Sequence, residues 1–498
     1  MKLRVDVAIL GSGFGGSLLS LILTKLGKRC ALIDKTAHPR FAIGESSTPL
    51  ADFVLSDLAR GYDLPDVLPL ASFGTWQQRH PRIGCGLKRG FSYFHHSAGL
   101  PFRTDENNSN QLLVAASSNN DDSDTHWYRA DVDQFLFDQA REAGVECFEN
   151  TSDIQIDRET TWKVIAADVD IRCDYIIDAS GAAGVLLKYL GIQDATHELQ
   201  TNSRAIYGHF EGVRRFQDIL LDGGIDTNQH PYTCDNAALH HVLEDAWMWN
   251  LRFSNDLVSA GVCFDANRTS AQLGSTEAWT RCVERHPSIA AQFEVACVRK
   301  EVGLRASGRL QRMRSSAAGV GWFALPHTVG FIDPLHSTGI AHTLSAVERI
   351  ARLFETKSQD DQAAIRDYNE TLRKELRFID RLVSGCYQTL GRPRMFNAWC
   401  MLYFAAAHSC EMRRIDGELA FEKGFLGALI PKLRKTVDAL QLPLSISLQS
   451  VDPSAVATFE SAVRHAIKPF NLAGLMNDDA GNMYANTAPP RNLGQYGY

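Results

Sequence analysis

The chain has 498 residues, of which 45% are apolar and 22% are charged, as in an ordinary globular protein. Lys plus Arg number 51 and Asp plus Glu number 58, so the net charge of −7 argues against a nucleic-acid-binding protein, which usually leaves a basic footprint. The 11 cysteines are odd in number and contain no C-x-x-C pair, which argues against a disulfide framework or zinc ribbon and favours reduced thiols.

The N-terminal segment predicts a β–α–β unit and no targeting sequence. Val5–Leu10 is a short apolar run, typical of a buried parallel strand and too short for a signal-peptide core. Ser17–Leu26 predicts a helix and Cys30–Ile33 a second strand. The apolar stretch Ala398–Ala407 is far shorter than the roughly 20 residues that span a bilayer, so we expect a cytoplasmic protein with no membrane partner.

The turn between the first strand and the helix has the G-x-G-x-x-G pattern of a dinucleotide site. Gly11 permits the tight turn, Gly13 lets backbone approach a pyrophosphate, and Gly16 allows close packing of helix on strand. Asp34 ends the second strand and can accept hydrogen bonds from ribose hydroxyls. The free N–H groups of the helix would face the phosphates. The alternative is a structural glycine turn in an unrelated α/β unit.

The rest of the chain predicts loops, strands and helices in alternation. Thr104–Asp124 is rich in Asn, Ser and Asp and predicts a surface loop. Arg129–Gly144 predicts an amphipathic helix, and Asp174–Gly181 a buried strand that ends in a glycine turn. Helices are also predicted over Ala346–Phe354, over Gln362–Leu382 and over most of the chain to Ala473, and Asn477–Tyr498 predicts a loose tail.

Three further elements resemble FAD-dependent aromatic hydroxylases. Arg129, followed by Asp133 on the predicted helix, is similar to the region in which an arginine contacts the flavin. Asp178 resembles the second cofactor-contacting strand end, and Asp333 the late motif near the ribityl chain. The usual Gly-Asp before that motif is replaced by Leu325-Pro326. The resemblance implies FAD as the cofactor, while a surface ion pair remains the alternative for Arg129 and Asp133.

Six motifs in order resemble the flavin-dependent halogenases of the tryptophan-halogenase superfamily, and among them the phenol halogenases. They are Gly11–Gly16, His38–Phe41, Gly44–Pro49, Cys85–Ser92, Trp247–Trp249 and Gly330–Gly339. The resemblance implies that reduced FAD and oxygen convert chloride or bromide into hypohalous acid, which travels to a lysine beside a small aromatic substrate. Since only one dinucleotide fingerprint is present, a separate NAD(P)H flavin reductase would supply reduced FAD.

The resemblance assigns roles to individual residues. Lys88 matches the lysine that holds the hypohalous acid, by hydrogen bonding or as a haloamine; an ordinary surface lysine is the alternative. Ser337, Thr338 and Gly339 match the loop whose amides hold halide, although a simple helix cap is compatible with the same residues. The residues assigned to the cofactor are Gly11, Gly13, Phe14, Gly16, Asp34, Arg40, Ser47, Thr48, Arg129, Asp178, Asp333, Gly339 and Ile340.

Two departures from the family pattern leave alternatives open. Trp247 and Trp249 match the wall between flavin and substrate, but Leu251-Arg252 replaces Ile-Pro, which leaves room for an aromatic monooxygenase that hydroxylates, or for a non-catalytic flavin sensor. The glutamate that tryptophan halogenases pair with the lysine has no good match, because Glu301 aligns poorly. Phenol halogenases also lack that acid, so the pattern favours a phenolic or other electron-rich aromatic substrate.

Other polar residues give weaker signals. His95, His96, His336 and His342 are candidate bases, with packed or surface histidines as the plainer interpretation. No His, Cys, Asp or Glu cluster has the spacing of metal ligands, so we expect no metal. The substrate's identity, the regiochemistry and the oligomeric state are left open.

The sequence therefore predicts an α/β fold, with a FAD-binding Rossmann-like domain of the aromatic-hydroxylase type, an interleaved mixed-sheet substrate domain and a helical C-terminal region. The predicted boundaries are 1–200 with 300–355 for the FAD-binding domain, with insertions such as 80–128, then 201–299 for the substrate-side sheet, 356–476 for the helical region and 477–498 for the tail.

Overall fold

Short apolar runs that end in glycine turns form the strands at the centre of the molecule, and longer amphipathic segments form the helices around them. The computed structural model describes residues 2–105, 107–166, 169–268, 274–419, 422–449, 452–487 and 489. Within these residues the strands are β1 (Lys2–Arg4), β2 (Val7–Leu10), β3 (Cys30–Ile33), β4 (Cys85–Lys88), β5 (Gly90–His95), β6 (Gln111–Ala115), β7 (Asp124–Trp127), β8 (Glu146–Phe148), β9 (Gln155–Arg158), β10 (Trp162–Ala166), β11 (Val169–Cys173), β12 (Tyr175–Asp178), β13 (Ser203–Glu211), β14 (Ala238–Val242), β15 (Ala246–Arg252), β16 (Val258–Asp265), β17 (Cys297–Val298), β18 (Arg305–Arg309), β19 (Arg312–Met313), β20 (Ala318–Gly319), β21 (Trp322–Ala324), β22 (Gly330–Phe331) and β23 (Met483–Tyr484). The helices are α1 (Phe14–Lys25), α2 (Pro49–Gly61), α3 (Phe73–Arg79), α4 (Arg129–Glu142), α5 (Val185–Tyr189), α6 (Phe216–Asp222), α7 (Ser275–Glu284), α8 (Pro287–Phe293), α9 (Pro326–Val329), α10 (Thr338–Glu355), α11 (Gln362–Gln388), α12 (Pro393–Ile415), α13 (Pro431–Ala439), α14 (Gln441–Gln449) and α15 (Pro453–Ile467).

The dinucleotide sheet has the strand order β20-β21-β12-β2-β3-β8. Its strands from β21 to β8 run parallel, and only β20 pairs antiparallel at the edge. Every residue of β2 and β3 is buried, as a parallel sheet covered on both faces requires. Because β20 and β21 come from residues after 300, this sheet closes only when distant parts of the chain meet.

The large sheet has the order β17-β13-β16-β15-β14-β5-β6-β23, with β18 also paired to β13. One face of it, carrying Phe91, Tyr93 and Trp247, packs into the main hydrophobic core shared with the C-terminal helices. The opposite face forms smaller clusters with α6, α7 and α8. A two-stranded ribbon of β4 and β7 leads directly into β5, with a single residue between β4 and β5. The predicted α/β fold with a helical C-terminal region is confirmed.

Three predicted elements need correction. Helix α1 begins at Phe14 rather than Ser17, so it starts inside the glycine motif. The predicted loop Thr104–Asp124 instead contains β6, because the apolar run within it pairs antiparallel with β5. The predicted loose tail is wrong at Met483–Tyr484, which pairs parallel with β6. Polar residues flank both strands, and the strands with which they pair lie elsewhere in the chain. The local sequence pattern therefore did not reveal them.

Two later helices are longer than the sequence indicated. Helix α10 begins at Thr338 rather than Ala346, and α11 extends to Gln388 rather than Leu382. Among the helices of the described residues, none combines the length and the apolar character that crossing a membrane requires.

Candidate active site

The glycine motif lies where the end of β2 meets the start of α1. Gly11 has a φ of +107°, and a Cβ there would lie 2.4 Å from the Ala179 carbonyl oxygen. A Cβ at Gly16 would lie 2.0 Å from the carbonyl oxygen of Gly11. Both positions exclude a side chain, because strand, helix and the turn after β12 approach one another at backbone distance.

Gly13 is different, because the space beside it is lined by charge. A Cβ at Gly13 would lie 3.6 Å from guanidinium nitrogens of both Arg40 and Arg129, and 3.8 Å from a carboxylate oxygen of Asp133. Arg129 is held by two hydrogen bonds to Asp133, of 2.7 and 2.8 Å, and lies over the Phe14 ring. This is a buried pair rather than the surface ion pair that the sequence also allowed. A glycine beside two guanidinium groups and a helix start, where backbone can approach a ligand, fits a pyrophosphate.

Asp34 is set up as an ionised acceptor at the end of β3. Its Oδ2 accepts hydrogen bonds from the backbone N–H and the hydroxyl of Ser12, at 2.8 and 2.9 Å, and lies 3.4 Å from Arg40. Burial opposes ionisation, but these hydrogen bonds and the Arg40 charge outweigh it and lower the pKa of Asp34 below its ordinary value. Such a carboxylate can still accept from a ribose hydroxyl.

Asp178 and Asp333 have internal partners. The Asp178 carboxylate accepts hydrogen bonds from Ser180 and from backbone N–H groups of Leu186 and Leu187, so it organises the turn after β12. Asp333 accepts from the hydroxyls of Ser203 and Tyr387, and its burial raises its pKa to about 7. Both acids therefore shape the loops around the glycine motif, and their contact with a cofactor stays a prediction.

The predicted halide loop is the start of α10. Ser337 has a φ of +51°, and it makes no side-chain capping hydrogen bond. The first N–H groups of a helix have no partner within the helix, so those of Thr338, Gly339 and Ile340 are available to an anion. A Cβ at Gly339 would lie 2.9 Å from Nε2 of His327, so this position also has no room for a side chain.

Lys88 is fully buried at the end of β4, so it is not an ordinary surface lysine. Its Nζ donates to the Ser47 carbonyl oxygen at 2.5 Å and lies 4.1 Å from the centre of the Phe91 ring. It also lies 3.8 Å from Oδ2 of Asp124, whose side chain is equally buried. Lys88 and Asp124 are register partners in the ribbon of β4 and β7. The ammonium is thus fixed between a carbonyl, a carboxylate and an aromatic face.

One short segment connects the halide loop to Lys88. The Ser337 hydroxyl donates to the hydroxyl of Ser46 at 3.0 Å, and the next residue, Ser47, accepts from Lys88 through its carbonyl oxygen. Thr48 follows as the residue before α2. The structure therefore places the segment of Ser46 and Ser47 between Ser337 and Lys88, and the contact of Ser47 and Thr48 with a cofactor stays a prediction.

Beside Lys88 lies a group of rings that we call the aromatic chamber: Phe91, Tyr93, His240, Trp247 and Tyr403. The rings of Tyr93 and His240 stack at 4.6 Å, and that of His240 lies 5.3 Å from that of Trp247. Phe91 and Tyr403 meet edge to face at 6.0 Å. The buried Tyr93 hydroxyl and Nδ1 of His240 have no hydrogen-bond partner among the described residues. Buried polar atoms are normally paired, so both are candidates to bind a ligand.

The two tryptophans and Arg252 lie on opposite faces of β15. Trp247 donates from Nε1 to the Tyr387 hydroxyl at 3.0 Å, and Trp249 fills the space above Gly261, where a Cβ would lie 2.2 Å from its ring. Alternate residues of a strand point to opposite faces, so Arg252 points away from the chamber. Its guanidinium pairs with buried Asp235 at 2.9 Å. The charge that replaces the family proline therefore does not enter the aromatic chamber.

The weaker candidates have other roles. His95 contacts Asn397, and His342 contacts Glu375 in a buried ion-pair network. Glu301 is exposed and pairs with Arg299, so it is not the acid beside Lys88. Against the expectation of no metal-type cluster, donor atoms of His336, Cys386 and Cys400 lie within 4.8 Å of one another. These residues are far apart in the sequence, which concealed their proximity.

Sequence reasoning missed Asp124 and three residues of the chamber, which are Tyr93, His240 and Tyr403. Asp124 stood at the end of a supposed loop, although it begins β7 opposite Lys88. Tyr93 directly follows the motif Cys85–Ser92, but only the pairing of β5 with β14 places it beside His240. The alternation of residues along β5 predicts that Phe91 and Tyr93 share a face, which was the one available signal.

Comparisons with known proteins agree with this geometry. The family described as "Tryptophan halogenase" matches residues 116–396. The chain is 30% identical to monodechloroaminopyrrolnitrin halogenase PrnC of Pseudomonas fluorescens, over 84% of this chain and 73% of the relative. It is also 30% identical to tetracycline 7-halogenase of Kitasatospora aureofaciens, over 81% and 73% of the two chains. A crystal structure of halogenase PltM in complex with phloroglucinol and FAD superposes with a TM-score of 0.84 at 22% identity, covering 97% of this chain and 99% of that one, a likeness of fold.

The geometry of the glycine motif predicts the effect of filling the space at Gly13. Gly13→Val should weaken FAD binding by at least about tenfold, because its side-chain carbons would occupy the place where backbone must approach the pyrophosphate. Titration of FAD fluorescence measures the affinity, and Gly308→Val, at an exposed glycine of β18 with open space around it, is the control. Equal affinity of Gly13→Val and the parent would contradict the assignment.

The buried pair of Arg252 and Asp235 predicts a loss of stability. Arg252→Gln should lower the free energy of unfolding by about 3 kcal/mol, because it leaves the Asp235 carboxylate buried without its cation. Urea unfolding followed by far-UV circular dichroism measures the change. Arg4→Gln, which breaks an exposed pair with Asp174, should cost less than about 1 kcal/mol.

Proposed function

The chain belongs to the tryptophan halogenase family, and we propose that this flavin-dependent halogenase acts on a phenolic or other electron-rich aromatic compound, using hypohalous acid delivered to Lys88. The observation that carries the proposal is the burial of the Lys88 ammonium beside the aromatic chamber. Its connection through Ser46 and Ser47 to the start of α10 supports the same assignment.

The cofactor and the halide have separate places in this scheme. The residues that would hold FAD are the glycine motif, Asp34, Arg40 and Arg129, which offer a glycine where backbone can approach a ligand, an ionised acceptor and two guanidinium groups. FAD, when bound and reduced by a separate NAD(P)H flavin reductase, supplies with oxygen the oxidising equivalents that turn halide into hypohalous acid. The N–H groups at Thr338 and Gly339 would hold chloride or bromide for that step.

Lys88 would receive hypohalous acid at the other end. A compact ammonium can donate a hydrogen bond to the oxygen of hypohalous acid and turn its halogen toward the substrate. The Ser47 carbonyl and the Asp124 carboxylate fix the position of the ammonium, which limits where the halogen can lie. The surrounding rings exclude water, so the oxidant meets the substrate before bulk solvent.

The chamber supports a ring with a hydroxyl as the substrate. Phe91, Trp247 and Tyr403 offer aromatic faces and edges on which a planar ring can pack. The Tyr93 hydroxyl and Nδ1 of His240 can pair with a phenolic hydroxyl, which makes its ring electron-rich. The acid close to Lys88 is Asp124, held by strand register on the same ribbon, and a phenol activated by its own hydroxyl requires no further acid.

The proposal predicts that substitution of Lys88 abolishes halogen transfer without affecting flavin oxidation. Lys88→Ala should lower halogenation of a phenol panel by about 100-fold or more, yet leave flavin oxidation by oxygen unchanged, because oxygen reacts at the flavin ring and Lys88 acts only on the hypohalous acid that results. Lys88→Arg should also fail, since a guanidinium stays protonated and cannot readily form a haloamine. Mass spectrometry of the product and absorbance of the flavin are the two measurements, with Lys163→Ala, a partly exposed lysine, as control.

Two results would argue against this assignment. Parental halogenation by Lys88→Ala would make Lys88 a bystander. A parent enzyme that yields only hydroxylated product in the presence of bromide would support the monooxygenase alternative. Arg252→Gln should leave the type of product unchanged, because Arg252 lies on the face of β15 away from the chamber.

The start of α10 gives a second prediction for the same enzyme. Gly339→Ala should raise the bromide concentration needed for half-maximal rate by about tenfold, because the added Cβ collides with His327 and displaces the first N–H groups of the helix. FAD affinity should stay at the parental value. Bromide titrations measure the shift, and Gly274→Ala, before α7 and with open space around it, should be silent. A bromide dependence unchanged in Gly339→Ala would contradict the halide role.

A further inference from the structure

A close helix crossing brings two cysteines together beside the active site. A Cβ at Gly385 would lie 1.9 Å from the Trp399 ring, so the absence of a side chain there lets α11 and α12 approach. Trp399 also donates from Nε1 to the Leu382 carbonyl at 2.7 Å, which locks the crossing. Cys386 and Cys400 are the next residues on the two helices, and their sulfurs lie 3.8 Å apart.

The cysteine pair has a histidine on one side. Nε2 of His336 lies 3.6 Å from the sulfur of Cys386. All three side chains are buried. Burial lowers the pKa of His336 to about 3 and raises the pKa of the Cys386 thiol, so the imidazole is neutral and can accept a hydrogen bond from the thiol. Its Nδ1 has no partner among the described residues.

The pair is close to both ends of the proposed route of hypohalous acid. His336 immediately precedes Ser337 at the halide loop, and its ring stacks on that of Tyr403 at 4.3 Å. Tyr403 belongs to the aromatic chamber and touches Phe91, over which Lys88 lies. Thiols at this position would meet an oxidant made inside the protein, whereas oxidants in bulk solvent meet the exposed Cys297 first.

We propose that Cys386 and Cys400 form an internal thiol trap, which reduces hypohalous acid that Lys88 does not pass to substrate and closes into a disulfide. The inference rests on the proposed function, which supplies the oxidant. The trap would protect the oxidisable rings of the chamber, above all Trp247 and Tyr93, when substrate is scarce.

The reaction balances without any further reagent. The Cys386 sulfur attacks the halogen, so the oxygen–halogen bond breaks and a sulfur–halogen bond forms. The thiol proton, which points to Nε2 of His336, passes to the departing hydroxide, which leaves as water. The Cys400 sulfur then displaces halide from Cys386 and forms the S–S bond, and its proton passes to that water. The two sulfurs lose two electrons, which reduce the halogen to halide.

The test uses the full-length enzyme with FAD, NADH, a flavin reductase, oxygen and bromide, but without a phenol. After denaturation, alkylation and digestion, mass spectrometry should show a Cys386–Cys400 cross-linked peptide while Cys297 stays alkylated. Omitting bromide should abolish the cross-link, and adding excess phenol should suppress it. Cys386→Ser should halogenate phenol at the parental initial rate but lose activity faster once phenol is limiting, with oxidation appearing on Trp247 or Tyr93.

Several results would overturn the trap. A cross-link that forms equally without bromide would identify peroxide as the oxidant, and oxidation of Cys297 before the pair would show that the oxidant comes from bulk solvent. Stoichiometric zinc in the purified enzyme, lost in Cys386→Ser, would make the cluster a metal site instead. An enzyme that halogenates phenol but forms no cross-link in the phenol-free reaction would overturn the trap alone, whereas absence of both products in their respective reactions would overturn the proposed function together with the trap.

Discussion

The burial of the Lys88 ammonium is the constraint around which the site is organised. A buried charge is unfavourable unless it is paired and hydrogen-bonded. Here the partners come from three segments: the Ser47 carbonyl before α2, the Asp124 carboxylate on β7 and the ring of Phe91 on β5. Holding the Lys88 side chain therefore requires the ribbon, the large sheet and the loop before α2 to meet at one place. Their meeting fixes the position of the chamber beside Lys88.

The two chemical ends of the site are connected by packing between helix starts. A Cβ at Gly15, in the first turn of α1, would lie 2.7 Å from Thr343 of α10. The start of α1 therefore packs closely against α10, the helix whose first residues form the halide loop. From there the Ser337 hydroxyl reaches Ser46, and the next residue reaches Lys88. The glycine motif and Lys88 are thus joined by a few direct contacts between segments that are distant in the chain.

The two faces of β15 have different neighbours, which explains how the chain departs from its family pattern and still keeps the residues of the site in place. Trp247 faces the chamber, while Arg252 faces Asp235 behind the sheet. A strand that keeps its aromatic face can change the other face freely, because alternate residues meet different neighbours. Arginine in place of proline therefore changes contacts on the face of β15 away from the chamber. It gives no structural reason to expect hydroxylation in place of halogenation.

The sequence by itself determined the β–α–β unit, because that unit depends on contacts between residues close together in the chain, while FAD and the role predicted for Lys88 came from the resemblance of six ordered motifs to a known family. Gly11, Gly13 and Gly16 act within a single turn. Only the tertiary structure decided the partners of Lys88, the chamber and the cysteine pair. Asp124 acquires its role from strand register, and Cys386 and Cys400 from the crossing of two helices. Such long-range contacts leave no local pattern, since the residues that select them lie far apart in the chain.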